Sequence, residues 1–155
     1  MSSEVRRIED QLKRSLEGNA WHGPAVLETL QGITAAQAHA HPIAGAHSVW
    51  EVVLHLTYTY RVVLRRIRGD GAPIRAAEDW PLVPPATEAS WQEAVDALRR
   101  VNVELRDAVR AFPAGRLDEP LVPDPPYTAY VQFIGITQHD LYHAGQISLL
   151  KRALG

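Results

Sequence analysis

Four stretches of this chain place their apolar residues three and four apart, and a helix-starting or helix-breaking signal bounds each one. That spacing marks a single buried helix face, so the chain is committed to packing helices against one another. The first stretch carries Val5, Ile8, Leu12 and Leu16, and the register continues through Val26 and Leu30. Gly18 and Pro24 interrupt it, and an interior proline loses a hydrogen bond and clashes one turn back. The spacing predicts a helix over 3–31, kinked or broken near 18–24, with one further turn at 34–39. The second stretch opens on Ser48-Val-Trp-Glu51, a capping box in which serine and glutamate satisfy each other's backbone amides. Val49, Val52, Val53, Leu56, Tyr60, Val63 and Ile67 follow on one face, and Gly69 stops the run.

The third stretch repeats the opening device with Ser90-Trp-Gln-Glu93, then runs through Val95, Leu98, Val101, Leu105, Val109 and Phe112 to Pro113. The fourth spans Thr128 to Ala153, with Phe133, Ile134, Ile136, Leu141, Ile147 and Leu150. Nothing reads as a strand. Between helices lie two Pro-rich crossings, 70–86 and 113–126, and connections of that length are usually functional or disordered. The expectation is an all-α four-helix bundle with long Pro-rich connections, one domain over 1–155. Trp50 and Trp91 read as core, and Trp80, inside the first crossing, as a lid or an interface.

Charge narrows the function classes. Sixteen Lys+Arg against eighteen Asp+Glu gives net −2, which argues against a nucleic-acid binder that works through a basic face. Arg61, Arg65, Arg66 and Arg68 crowd one helix end, but the helix dipole and solvation account for them. No apolar run reaches membrane-spanning length, and the charged start (Glu4, Arg6, Arg7, Glu9, Asp10) does not read as a signal peptide. A cytoplasmic protein is expected. Cysteine is absent, so any thiol chemistry needs a thiol from outside. Histidine occurs seven times, which makes imidazole the natural ligand for any metal.

The fourth stretch contains His139-Asp-Leu-Tyr-His143. Four helical residues advance about 400°, so the two rings share a face, roughly 40° apart. Their Cβ atoms then lie about 5–6 Å apart, close enough for both rings to reach one ion. A zinc-protease helix would need glutamate after the first histidine, whereas here Asp140 follows it. None of residues 144–155 is His, Asp or Glu, so the third ligand is sought upstream, and His55 on the second helix is the candidate. Two histidines one turn apart, met by one from a facing helix, is how bundles build metal sites. Three separate histidines, each hydrogen-bonded locally, is the plain alternative.

The strings Gly45–His55 (GAHSVWEVVLH) and Gln138–Ile147 (QHDLYHAGQI) resemble the two signature helices of the DinB/YfiT-like superfamily. Trp21-His-Gly-Pro24 is similar to the first helix of one of its branches. The resemblance covers essentially the whole chain. It implies an up-down-down-up four-helix bundle holding one divalent metal, typically nickel or zinc, through His55, His139 and His143. It also implies an enzyme that transfers a low-molecular-weight thiol (bacillithiol, mycothiol or glutathione) to a small electrophile, and by analogy a homodimer. A metal-dependent hydrolase would use the same atoms, and a non-catalytic, stress-associated metal-binding module is the third reading. Three neutral nitrogens leave coordination positions open, as catalytic sites do.

Around that trio the sequence offers weaker candidates. His22 falls on the inward register beside the break and is a candidate acid or base, or packs at the break. Glu51, one turn before His55, is a candidate orienting or catalytic group, although its capping role already explains it. Tyr142 and Gln146 flank the ligands as candidate substrate contacts. Asp140 reads as facing solvent, His47 as hanging over the bundle mouth, and His39 and His41 as idle loop residues.

Overall fold

The computed structural model describes residues 3–155, the side chain of Ser3 excepted, and they are all-helical. Seven α-helices follow in order: α1 Ser3–Glu17, α2 Val26–Leu30, α3 Ala35–His39, α4 Val49–Ile67, α5 Ala76–Asp79, α6 Glu88–Arg110 and α7 Ala129–Leu154. A 3-10 turn, Ala114–Arg116, lies in the second crossing, and the sole β-bridge among the described residues pairs Pro120 with Thr128. No helix among them is long and apolar enough to cross a membrane.

The first helical run is broken rather than bent. Gly18, Asn19 and Gly23 all take positive φ, which an α-helix cannot accommodate, and the chain re-enters helix only at Val26. The break moves His22 off the helical register into an exposed turn, so its inward placement does not hold. Downstream, Thr34 caps α3 and Ser48 caps α4, each with its reciprocal partner (Gln37, Glu51). At the far end of α4, Gly69 adopts φ +88° while the amides of Gly69 and Asp70 bond back to Arg66 and Arg65. That double bond is a Schellman closure, and it requires a residue tolerant of the left-handed region.

One cap falls elsewhere than expected. The N-cap of α6 is Thr87, whose hydroxyl accepts from the Ser90 amide while the Ser90 hydroxyl returns to the Thr87 amide. Starting the helix three residues early puts Glu88 inside its first turn. There its carboxylate accepts the Ala35 amide at 2.9 Å and docks α3 onto α6. Ser90 is thus the reciprocating residue of the box, not its cap.

The four long helices pack as a ring, α1 against α6 and α7, and α4 against α6 and α7. Val5, Ile8, Leu12 and Leu16 of α1 are all buried in the shared core, where each such side chain contributes about 1.5–3 kcal/mol. Trp50 and Trp91 do lie in that core, their rings tilted together at 5.2 Å. Both sit in the first turns of their helices, so α4 and α6 begin at the same end. By contrast, Arg66 near the end of α4 bonds Gln132 near the start of α7, so those two helices run oppositely. Two parallel neighbours need a crossing that returns the chain to its starting end. Residues 68–87 make that return, with α5 inside them packed on α4.

Candidate metal centre

His55 lies in the second turn of α4, and His139 and His143 lie one turn apart near the middle of α7. The antiparallel packing of α4 on α7 brings the three rings together, with candidate ligand atoms all within 4.8 Å of one another. The Nε2 atoms of His55 and His143 each stand 3.0 Å from Nε2 of His139. His55 and His143 are buried and His139 is half-buried.

Each outer nitrogen decides what its inner nitrogen can do. Nδ1 of His55 lies 3.0 Å from both the backbone carbonyl and a carboxylate oxygen of Asp79, and neither can donate to it. It therefore carries the proton, which leaves Nε2 a bare lone pair. His143 repeats the arrangement, its Nδ1 donating to Oε1 of Gln146 at 2.6 Å. His139 has no such partner, for its Nδ1 is buried without a hydrogen bond. Burial, then the neighbouring His143 and His55, push the His139 pKa down to about 3. Burial also takes His143 down to about 4, with Gln146 acting the other way and His55 adding to the fall. Both rings are neutral at neutral pH, the state in which imidazole binds metal.

This donor set fits a metal ion. Two lone pairs on His55 and His143 face a third nitrogen that has one proton at most, so one proton cannot satisfy all three. Nitrogens held about 2.0–2.1 Å from a tetrahedral ion stand about 3.3–3.4 Å apart, and separations of 3.0 Å need to open by only a few tenths of an ångström.

The surroundings hold residues that the sequence placed differently or passed over. Asp79 and Trp80 come from the first crossing, which periodicity leaves blank. The Trp80 indole lies flat on His55 at 4.1 Å between centroids and flat against His47 on its other face at 3.6 Å. Trp80 thus covers the site from above, and His47 holds it there. Glu51 is engaged away from the trio: its carboxylate accepts from the Ser48 amide at 2.6 Å and lies 2.9 Å from His41 and 3.5 Å from His47. Burial would raise the Glu51 carboxyl, but the Ser48 amide, then His41 and His47, outweigh it and hold it below the usual range. The carboxylate that touches His55 is that of Asp79. His41, expected to be idle, is the second support of Glu51.

Gln146 meets the site directly through His143, and Tyr142, largely exposed, presents its ring edge-on to His143 at 5.2 Å. His22 is exposed in the 18–25 turn. Asp140 corrects the sequence reading outright. It is fully buried, its carboxylate accepting from Ser15 of α1 at 2.6 Å and Tyr60 of α4 at 2.8 Å. Burial pushes its pKa up to about 7 against the pull of those two hydroxyls, and burial together with the Asp140 charge raises Tyr60 well above its ordinary value. A position beside His139 on α7 points across the core toward α1 and α4, and only the packing of those helices supplies the donors.

Comparison with protein-family models matches residues 20–147 to the DinB superfamily, a span that takes in all three histidines. No curated protein and no solved structure matches the chain.

Proposed function

The chain belongs to the DinB superfamily, and from that premise we propose that it binds one divalent metal ion through Nε2 of His55, His139 and His143. The observation that carries this reading is the convergence of three imidazole nitrogens, two of them deprotonated by the partners of their own outer nitrogens. Imidazole donors of this kind suit zinc and nickel. We take the protein to be an enzyme that transfers a low-molecular-weight thiol to a small electrophile. When bound, the ion supplies positive charge that lowers the pKa of a coordinated thiol or water. The absence of cysteine from the chain is consistent with a thiol that arrives as cosubstrate.

The chain's own residues do the positioning. Asp79 and Gln146 fix the tautomers of His55 and His143 and hold their rings in plane. Trp80 covers the His55 face and excludes water from that side. We read the four long helices as an up-down-down-up bundle and residues 1–155 as one domain. The shared starting end of α4 and α6, the reversed run of α7 and the single buried cluster support both.

Elemental analysis of untagged protein tests the reading. About one equivalent of divalent metal is expected in the parent chain, and near none in His55→Ala, His139→Ala and His143→Ala with helical circular dichroism retained. Equal metal in all four would refute it. Thiol consumption with a panel of electrophiles, abolished by chelator, is the expected activity. Chelator-sensitive ester hydrolysis without thiol use would replace transfer by hydrolysis. No turnover of either, together with a large loss of thermal stability on chelation, would make the metal structural.

A further inference from the structure

Next to Gln146, the hydrogen-bond partner of His143, lies a cleft of about 270 Å³, room for a small organic molecule. Its walls include Ile43, Val52, Leu149 and Leu150, with two polar residues, His47 and Gln146. Among the described residues that line it there is no Lys, Arg, Asp or Glu. Both polar residues are already tied to the trio. Gln146 accepts from His143, and His47 stacks on the Trp80 that covers His55. Val52 stands one turn before His55 on the same helix. The cleft is therefore linked to the histidines through Gln146 and His47, which stand between it and the trio.

We propose that this cleft is the acceptor subsite of the reaction described above, and that it selects an uncharged, largely apolar molecule with a hydrogen-bond acceptor at its reactive end. The inference rests on that reading of the trio. Four aliphatic walls favour an apolar body, and a charged body would be stripped of water with no opposite charge to meet it. The Gln146 carboxamide gives the direction. Its oxygen is occupied by His143, and among the described residues no hydrogen bond engages its NH2, which leaves it open to donate. A carbonyl or similar group held by that NH2 is fixed next to His143, with the apolar remainder along Val52, Leu149 and Leu150.

Methyl-resolved NMR titration of the full chain, as purified and again after chelator treatment, tests this with two probes of one shape. These are 4-phenylbutan-2-one, which is neutral, and 3-phenylpropanoate, which is anionic. The ketone is expected to shift the methyl signals of Val52, Leu149 and Leu150 saturably, and the carboxylate to bind at least tenfold more weakly in the chelated protein. Leu149 is 60% exposed, so Leu149→Glu leaves the fold intact and is expected to weaken the ketone at least fivefold. Shifts confined to other parts of the protein, equal affinity for both probes, or unchanged affinity in Leu149→Glu would each overturn the proposal. Ketone binding without metal uptake by the parent chain sinks the metal reading alone. Metal uptake without ketone binding sinks the cleft alone.

Discussion

Replacing Asp140 with asparagine should make the protein progressively more stable than the parent chain as pH rises. In the folded parent the carboxyl has a pKa of about 7, against an ordinary value of 3.8 once the chain unfolds. Between those values the folded state keeps a proton that the unfolded state has lost, so the parent loses stability as pH climbs through that window. The whole effect is about 4 kcal/mol, and more than half of it falls between pH 5 and pH 8. Asparagine does not titrate, and it has partners ready. Tyr60 can donate to its oxygen, and the Ser15 hydroxyl, which also reaches the Leu12 carbonyl at 3.2 Å, can accept from its amide. His139 and His143 impose the opposite trend, because their depressed pKa values cost stability as pH falls below 6.5, but both chains share it and it cancels in the difference. Urea unfolding of metal-stripped parent and Asp140→Asn chains at half-unit pH intervals gives that difference directly. If the two stability curves stay parallel between pH 5 and pH 8, the buried carboxyl does not titrate as argued and the reasoning fails.

Three further outcomes are expected. Asp79→Ala should weaken metal binding about tenfold by calorimetry, at the low end for an outer partner of a ligand, because the residue 79 carbonyl still holds Nδ1 of His55; an unchanged affinity would remove Asp79 from the site. Trp80→Ala should speed extraction of metal by chelator severalfold while leaving helical circular dichroism unchanged, and an unchanged extraction rate would mean that the indole shields nothing. Thr87→Ala should destabilise the protein by about 1 kcal/mol in chemical denaturation, and no loss would place the start of α6 elsewhere.

Much of this was legible in the sequence because the signals were local. The apolar spacing of α1, the Ser48–Glu51 cap and the Gly69 stop each depend on residues within a few positions of one another. The histidine pair on α7 is equally local, and His55 needed one long-range assumption, that a histidine bordering the interior of α4 faces that pair. What sequence could not supply was set by contacts between distant segments. Asp140 meets Ser15 and Tyr60, which are 125 and 80 positions away, and nothing near Asp140 announces those hydroxyls. Asp79 and Trp80 lie in a stretch without periodicity; Trp80 could be read as a lid from its place in the long crossing, but nothing marked Asp79 as the partner of His55. Ser90 misled because it is a capping residue by type, while Thr87 three positions earlier was free to take the cap and left Glu88 to fasten α3.

The sandwich of Trp80 between His47 and His55 gives the protein an optical gauge of its own centre. An indole flat against two imidazoles responds to their charge, since a protonated ring draws electron density from the excited state and a neutral one does not. With Trp21, Trp50 and Trp91 replaced by phenylalanine, emission from Trp80 is expected to change as His55 gains or loses a ligand, without any label. The same contact couples the crossing to that event, so light emitted at position 80 and the packing of residues 68–87 are two readings of one state.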